Sequence, residues 1–420
     1  MKAEIICIGD ELLIGQVVNT NAARMGELLN LAGIQVVHAT VTQDNRQSIL
    51  DALASAAKRA DVILITGGLG PTKDDITKKV LCEYFKSEMV LSEEVLQDVK
   101  EIFERRGRVV TELNRKQAEV PAVCGVIRNK NGTAPGMWFD NNGKIYVSMP
   151  GVPFEMLPML EETVIPRLKN VAQLPAIFHY TILTHGIGES VLAERIEAWE
   201  DRLSERNIRL AYLPSNGSVR LRLSAFGNNE EMLRIAVFEE VQKVLPLIEK
   251  HVYGYEEFGK PAPRIETVLA DVLLKTGKKL ALAESCTGGY IAHLVTSVSG
   301  SSAFFNGGII PYHNEFKHSL LKVKNDVFIS VGAVSEECVR QMAKGILEKF
   351  SADYAIAVSG IAGPTGGTDE KPVGTVWIAW ASREMVVAEK FIFGKDRMRN
   401  IALTANAALN GLRQQIESGF

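Results

Sequence analysis

The sequence predicts an α/β protein in three parts: a doubly wound α/β domain over residues 1–170, a small α+β layer over 175–255, and a second α/β domain over 259–420. Three observations predict this. Through the first part, short all-apolar runs alternate with segments of helical periodicity, and all-apolar strands belong to sheets covered on both faces. In the middle part the order is strand, helix, two alternating strands and helix, with Ser215-Asn216-Gly217-Ser218 as a hairpin connection between the strands. In the last part the apolar run Leu280 to Ala283 breaks at Glu284-Ser285-Cys286-Thr287-Gly288-Gly289, before helical spacing resumes from Tyr290 to Val298.

Composition narrows the class. The 420 residues are 46% hydrophobic, enough for real cores, and carry a formal net charge of -3, which argues against a broad nucleic-acid surface. Cys7, Cys82, Cys124, Cys286 and Cys338 are scattered without a Cys-x-x-Cys pair. That pattern suggests neither a zinc site nor a disulfide framework and fits a reducing compartment. The chain opens directly into a strand-like run, and no apolar segment approaches the ~20 residues of a membrane helix. A cytoplasmic location is therefore expected.

In the first part, Ile5 to Ile8 reads as a buried strand closed by Gly9-Asp10-Glu11. Asn19-Thr20-Asn21 is a cap region for an amphipathic helix from Ala22 to Leu31, which Gly33 stops. Gln35 to Thr42 is the next strand, Arg46 to Arg59 a helix, and Val62 to Ile65 a third strand. It runs into Thr66-Gly67-Gly68-Leu69-Gly70-Pro71-Thr72-Lys73-Asp74-Asp75. Gly67, Gly68 and Gly70 let the backbone approach a ligand, and Lys73 can meet phosphate, although the Gly-Lys-Ser/Thr ending of a Walker loop is absent. Asp10, Glu11, Asp44, Asp74 and Asp75 all follow strand ends. Such carboxylates suit Mg²⁺ or a similar hard ion bridging a diphosphate, and each equally suits capping a following helix. Ser92 to Arg106 is a further helix, and Asn114 and Gln117 fall on a short one, as readers of a ribose or base edge or as surface polar residues. After the strand Ile145 to Met149, Pro150-Gly151-Val152-Pro153 starts a helix.

In the middle part the elements are the strand His179 to Leu183, a helix through Ile196, the strands Ile208 to Leu213 and Val219 to Phe226, and the helix Met232 to Ile248. Gly259-Lys260-Pro261-Ala262-Pro263 then reads as a hinge. In the last part Ser285 stands at the mouth of a strand-to-helix turn, outside the carboxyl end of its strand, where open α/β sheets bind ligands. The N–H groups of Thr287, Gly288 and Gly289 are expected in the first helical turn without intrahelical partners, free for an anion or oxyanion. A serine nucleophile needs a base, and the motif order offers no Ser-His-Asp arrangement. Tyr312 and Lys317 follow in Pro-Tyr-His-Asn-Glu-Phe-Lys, and a lysine serves as base only when its pKa is lowered. The same pattern also describes a serine N-cap and a solvated lysine. Cys286 is a rival nucleophile next door. Ser335 starts a helix to about Phe350, and the strand Tyr354 to Val358 ends in the second Gly-rich loop, Ser359 to Thr368. Its backbone suits a phosphate or carboxamide oxygen, or is a bare connection. After the hairpin Val373 to Ala381 and Met385 to Phe393, Arg397 opens the final helix as a natural phosphate clamp.

Four ordered motifs carry a resemblance. Ala283-Glu284-Ser285-Cys286-Thr287-Gly288-Gly289, Tyr312-His313-Asn314-Glu315-Phe316-Lys317, Ser359-Gly360-Ile361-Ala362-Gly363-Pro364 and Lys371-Pro372-Val373-Gly374-Thr375-Val376 resemble the C-terminal domain of CinA proteins. That domain is similar to the nicotinamide-mononucleotide deamidase family. The resemblance implies that Ser285 attacks the carboxamide carbon, and that Lys317, with Tyr312, passes the serine proton to the leaving ammonia. It implies a substrate site of Thr287, Gly288, Gly289, Ser359, Gly360 and Arg397, with no cofactor. It favours Ser285 over Cys286. The chain reads Gly394-Lys395-Asp396-Arg397, one residue longer before the arginine than is usual in relatives.

Gly9-Asp10-Glu11, the loop from Thr66 to Asp75, and Pro150-Gly151-Val152-Pro153 resemble the molybdopterin-binding fold in the version fused to CinA proteins. This implies a nucleotide site of Asp10, Glu11, Asn21, Gly67, Gly68, Gly70, Lys73, Asn114 and Gln117. It also implies a divalent metal ion, Mg or Co, at Asp44, Asp74 and Asp75, and an ADP-ribose pyrophosphatase activity. The middle part is similar to the KH-type module of CinA proteins, but it lacks the Gly-x-x-Gly loop. Residues 178–255 also hold 9 Lys and Arg against 11 Asp and Glu. A spacer or dimerisation role is expected there rather than nucleic-acid binding. The family implies a homodimer acting on small-molecule nucleotides. The alternative is a non-catalytic nucleotide- or molybdopterin-binding protein.

Overall fold

A computed structural model gives the architecture and describes residues 1–72, 75–105, 107–172, 174–215 and 217–420. Lys73 and Asp74, two of the expected ligand residues, lie outside the described residues, as do Arg106 at the expected helix end and Asn216 in the expected hairpin turn. The chain divides into two compact units, Met1–Phe178 with Phe226–Arg234, and His179–Ala225 with Ile235–Phe420. No described helix is long and apolar enough to cross a membrane.

The first unit is a doubly wound α/β layer. Its strands are β1 (Lys2–Ile8), β2 (Gln35–Thr42), β3 (Val62–Thr66), β4 (Gly125–Ile127), β5 (Gly136–Asn141) and β6 (Lys144–Met149), in the order β2-β1-β3-β6-β5-β4. Pairs among β2, β1, β3 and β6 are parallel, and β5 and β4 complete the sheet antiparallel. Successive side chains of β1 point to opposite faces. Ala3, Ile5 and Cys7 therefore pack with Met25 and Leu29 of α1 (Thr20–Leu31), whereas Ile6 and Ile8 pack with Ile49 and Leu53 of α2 (Arg46–Arg59) and Val80 and Leu81 of α3 (Thr77–Tyr84). The strand order reverses at β1, so the crevice beyond its carboxyl end is the switch point at which such sheets bind ligands.

Two further sheets lie chiefly in the second unit. β7 (Ala176–His185), β8 (Ile208–Ser215), β9 (Ser218–Gly227) and β10 (Val252–Glu257) run in the order β8-β9-β7-β10, with helices α4 (Glu189–Glu200) and α5 (Glu230–Ile248). The other sheet has β11 (Leu280–Glu284), β12 (Phe305–Ile309), β13 (Tyr354–Gly360), β14 (Thr375–Ala381) and β15 (Val386–Ile392), in the order β12-β11-β13-β14-β15. Leu280 and Leu282 of β11 face the layer of α6 (Ile265–Thr276), α7 (Tyr290–Thr296) and a long final helix, while Ala281 and Ala283 face α8 (Asn314–Leu321) and α9 (Glu336–Lys349). The final helix, α10 (Arg397–Glu417), buries its alanine-rich face and lets Trp380 donate its indole N–H to Ala408 O at 2.7 Å. Residues 259–263, expected as a hinge, join two modules of one compact unit: Gln414 Nε2 donates to Lys250 O at 2.7 Å, and Asn410 Nδ2 lies 3.4 Å from His185 Nδ1.

Candidate active site

Ser285 extends the β11 ladder by one rung. Glu284 pairs with Val358 on β13, and the Ser285 N–H donates to Val358 O at 3.1 Å. The alternation that sends Ala281 and Ala283 toward α8 and α9 puts Ser285 on that same side. The side chain is 8% exposed, so it meets the surface only at the turn. Cys286 goes the other way and packs with Leu280, Leu282 and Ile291. Burial pushes its thiol up to about 12, which removes the thiolate a cysteine nucleophile needs.

The turn holds an arrangement that motif spacing did not show. Glu284 is 1% exposed, and its carboxylate covers the amino end of α7. Oε2 accepts from the Thr287 hydroxyl at 2.7 Å and from the N–H groups of Gly289 and Ile291 at 3.0 Å; Oε1 accepts from the Ala292 N–H at 2.7 Å. The Gly288 N–H donates to Ser285 O at 3.2 Å. Of the three N–H groups expected to be free, those of Gly288 and Gly289 are therefore engaged. Only that of Thr287 has no hydrogen-bond partner among the described residues. Gly289 has φ +98°, a left-handed conformation that lets the chain reverse from strand to helix within so short a loop. The signal for Glu284 lay in the sequence: a charged residue closing an all-apolar strand just before a helix is placed to answer the helix's unpaired N–H groups.

Lys317 sits on α8 with Leu321 one turn on, pointing inward, and is 2% exposed. Burial lowers its pKa, and no carboxylate pairs with it among the described residues. Its Nζ donates to the backbone carbonyl of Tyr312 at 3.0 Å. The Tyr312 hydroxyl does something else: it accepts from Arg397 Nη2 at 3.0 Å, while Arg397 Nη1 donates to Gly363 O at 2.9 Å. Lys317 and Tyr312, expected to act together, thus meet through the tyrosine carbonyl, while the tyrosine hydroxyl meets Arg397. Lys317 and Arg397 both lie near enough to Cys286 to favour its charged form, so the turn after β11, the lysine and the arginine gather at one end of the sheet. The extra residue before Arg397 does not keep it from Tyr312. Ser359, on the side of β13 that carries Ala355 and Ala357, is buried and donates its hydroxyl to Ala333 O at 2.8 Å. A Cβ on Gly360 would come 2.6 Å from Val376 Cγ2, so that glycine answers to packing between β13 and β14.

In the first unit the strand-end residues fall into small groups. Asn21 lies inside the first turn of α1, whose cap is Asn19. It donates to Gly151 O at 2.7 Å and to Thr66 Oγ1 at 3.2 Å, and with Glu11 it borders a small cavity. Its Oδ1 is buried without a partner among the described residues. Gly68 backs directly onto Thr77, whose buried hydroxyl also lacks a partner among the described residues, and onto Asp44. Asp10 accepts from the Asp44 N–H at 3.4 Å. Asp75 sits against Gly70 and accepts from the N–H and hydroxyl of Thr72. Gly67 abuts the Ile8 carbonyl. No group of three or more His, Cys, Asp or Glu is assembled for a metal among the described residues. Asp44 and Asp75 approach the Gly-rich loop singly, which does not fit a ready cation cage. Asn114 is committed elsewhere: its side chain accepts from the Thr111 N–H at 3.1 Å in a reciprocal cap, in place of facing a ligand. Gln117 is buried, and its backbone carbonyl accepts from the Lys78 ammonium at 2.9 Å. Lys78, which pattern reading passed over, is buried beside Asp75 and Glu119, and burial pushes its pKa down to about 8.

Three family models match in sequence order: "Probable molybdopterin binding domain" over residues 4–170, "Damage-inducible protein CinA KH domain" over 179–254, and "CinA C-terminal domain" over 263–416. A CinA-like protein of Cytophaga hutchinsonii is 47% identical over 415 residues, spanning 99% of this chain and 98% of that protein. A CinA-like protein of Flavobacterium psychrophilum is 44% identical over 421 residues, all of both chains. Among solved structures, the competence damage-inducible protein A of Klebsiella pneumoniae is 36% identical, covers 37% of this chain and 97% of its own, and has a TM-score of 0.36. With identity of this order along its whole length and all three domain matches in place, the chain belongs to the CinA family.

Proposed function

We propose that the C-terminal domain hydrolyses nicotinamide mononucleotide to nicotinic acid mononucleotide and ammonia. The observation that carries this reading is Lys317, a buried lysine with lowered pKa and no carboxylate partner among the described residues, on the side of the sheet to which Ser285 points. Ser285 Oγ attacks the carboxamide carbon while neutral Lys317 takes the hydroxyl proton. The Thr287 N–H, without a partner among the described residues, is a donor for the resulting oxyanion. Lys317 then gives its proton to the leaving amine, ammonia departs, and an acyl-enzyme remains. Water, losing a proton to Lys317, attacks the ester and releases the carboxylate and the serine. Arg397, steadied by Tyr312 and Gly363, is a planar donor for the 5′-phosphate.

The test is ammonia release from nicotinamide mononucleotide by the full-length protein beside Ser285→Ala and Lys317→Ala. Release by the wild type and loss in both variants is expected; release in all three would move the nucleophile. A second reading concerns the first unit, where Asn21 Oδ1 and Thr77 Oγ1, buried without partners among the described residues, favour a polar ligand beside the Gly-rich loop. We propose a nucleotide diphosphate such as ADP-ribose, cleaved to AMP and ribose 5-phosphate. AMP release by the full-length protein, with and without Mg²⁺ or Co²⁺, tests it; binding without release at any metal concentration would leave this unit a binding domain. A homodimer remains part of the proposal, checked by sedimentation.

A further inference from the structure

We infer that Glu284 is a positioning residue for the nucleophile: its carboxylate ties the end of β11 to the start of α7 and so fixes the turn that carries Ser285. This rests on the amidohydrolase reading above. An ordinary helix cap is a side chain one step before the helix that meets an N–H two or three residues on. Glu284 stands six residues before Tyr290, the first residue of α7, and its four donors are spread from Thr287 to Ala292. The loop between is therefore closed at both ends on one buried carboxylate, and Ser285 is its first residue. The same carboxylate fills the positive end of α7, so the phosphate of a substrate has no seat there and is left to Arg397. It also engages the Gly289 N–H, while the Thr287 N–H has no hydrogen-bond partner among the described residues. The bland alternative is that Glu284 merely stabilises the fold.

The two differ in how each active molecule reacts. Full-length wild type, Glu284→Gln and Thr287→Val are treated with a fluorophosphonate probe, in which serine Oγ forms a bond to phosphorus, fluoride leaves and Lys317 takes the proton. A glutamine keeps the shape but cannot accept from all four donors. The rate constant per labelled site and the labelled fraction are read separately, beside kcat and KM for nicotinamide mononucleotide. A misplaced nucleophile lowers the labelling rate constant and kcat together, by about 10²-fold in Glu284→Gln, with KM nearly unchanged. Thr287→Val, which removes one donor, shows a smaller loss in the same direction and keeps the test alive if the glutamine variant does not fold. A wild-type rate constant with fewer labelled sites would mean lost fold alone and overturns the inference. A wild type that is labelled but releases no ammonia would overturn the substrate reading, and the labelling rates would still decide for or against Glu284. A wild type that is not labelled overturns both.

Discussion

A lysine can take a proton from serine only when neutral, and Lys317 is moved toward that form by burial rather than by a neighbouring cation. The sign follows: kcat/KM is lost as pH falls through the Lys317 titration and recovered as it rises, with the limb below the ordinary 10.5. A pH profile of ammonia release checks this. The same depression means that the folded state binds fewer protons than the unfolded state between the folded pKa and 10.5, so folding gains stability as pH rises through that window. Lys317→Met is therefore expected to be inactive yet to melt higher than wild type at neutral pH, with the gap closing toward 10.5. Tyr312 gives a second test at this scale. Its hydroxyl holds Arg397, so Tyr312→Phe raises KM several-fold and leaves kcat within about twofold. Arg397→Ala raises KM by about 10–100-fold, the worth of a hydrogen bond to a charged group, and spares nicotinamide riboside, which lacks the phosphate. A fall in kcat for Tyr312→Phe would return the hydroxyl to proton transfer.

Among the elements, α9 decides where Lys317 can stand. Gly345, in the middle of α9, backs directly onto the Leu321 carbonyl at the end of α8, leaving no room for a methyl group. Gly345→Ala has to push the helices apart, a change that costs roughly 1–3 kcal/mol. Because α8 carries Lys317, kcat should fall as well; urea midpoints and kcat measured on the same preparation check both. A glycine inside a predicted helix looks like a weakness in the sequence, and its reason exists only once α8 is packed across it. Glu284 is similar: its acid at the end of a strand was visible, its four partners were not.

At the scale of the whole chain, the middle module and the C-terminal domain share a junction on α10. Arg413, buried, donates Nε and Nη2 to Asn410 Oδ1 at 3.1 and 3.0 Å, and Asn410 meets His185 at the end of β7. Burial, with Arg413 and His251 adding to it, pushes His185 down to about 4, so it is neutral at working pH. Arg413→Ala leaves the Asn410 carbonyl oxygen without its donors and should cost about 2 kcal/mol. Thermal melting of this unit as one transition, shifted down in the variant, is the expected result; two separate transitions in the wild type would show that the junction does not couple the modules.

What the sequence by itself determined was the α/β class, the strand-to-helix turn at Ser285 and the placing of Ser285 and Lys317 in one ordered set of motifs. These follow from periodicity and spacing, which are local, and from ordered motifs shared with the CinA family. Tertiary structure alone decided that Cys286 turns into the core, that Glu284 answers the helix N–H groups, that the Tyr312 hydroxyl serves Arg397, that Asn114 caps its own turn, and that Lys78 is buried. It also decided that residues 259–263 lie within one unit. The physical reason is that a hydrogen-bond partner or a burial state belongs to atoms brought together from distant parts of the chain, and no local pattern records which atoms those are.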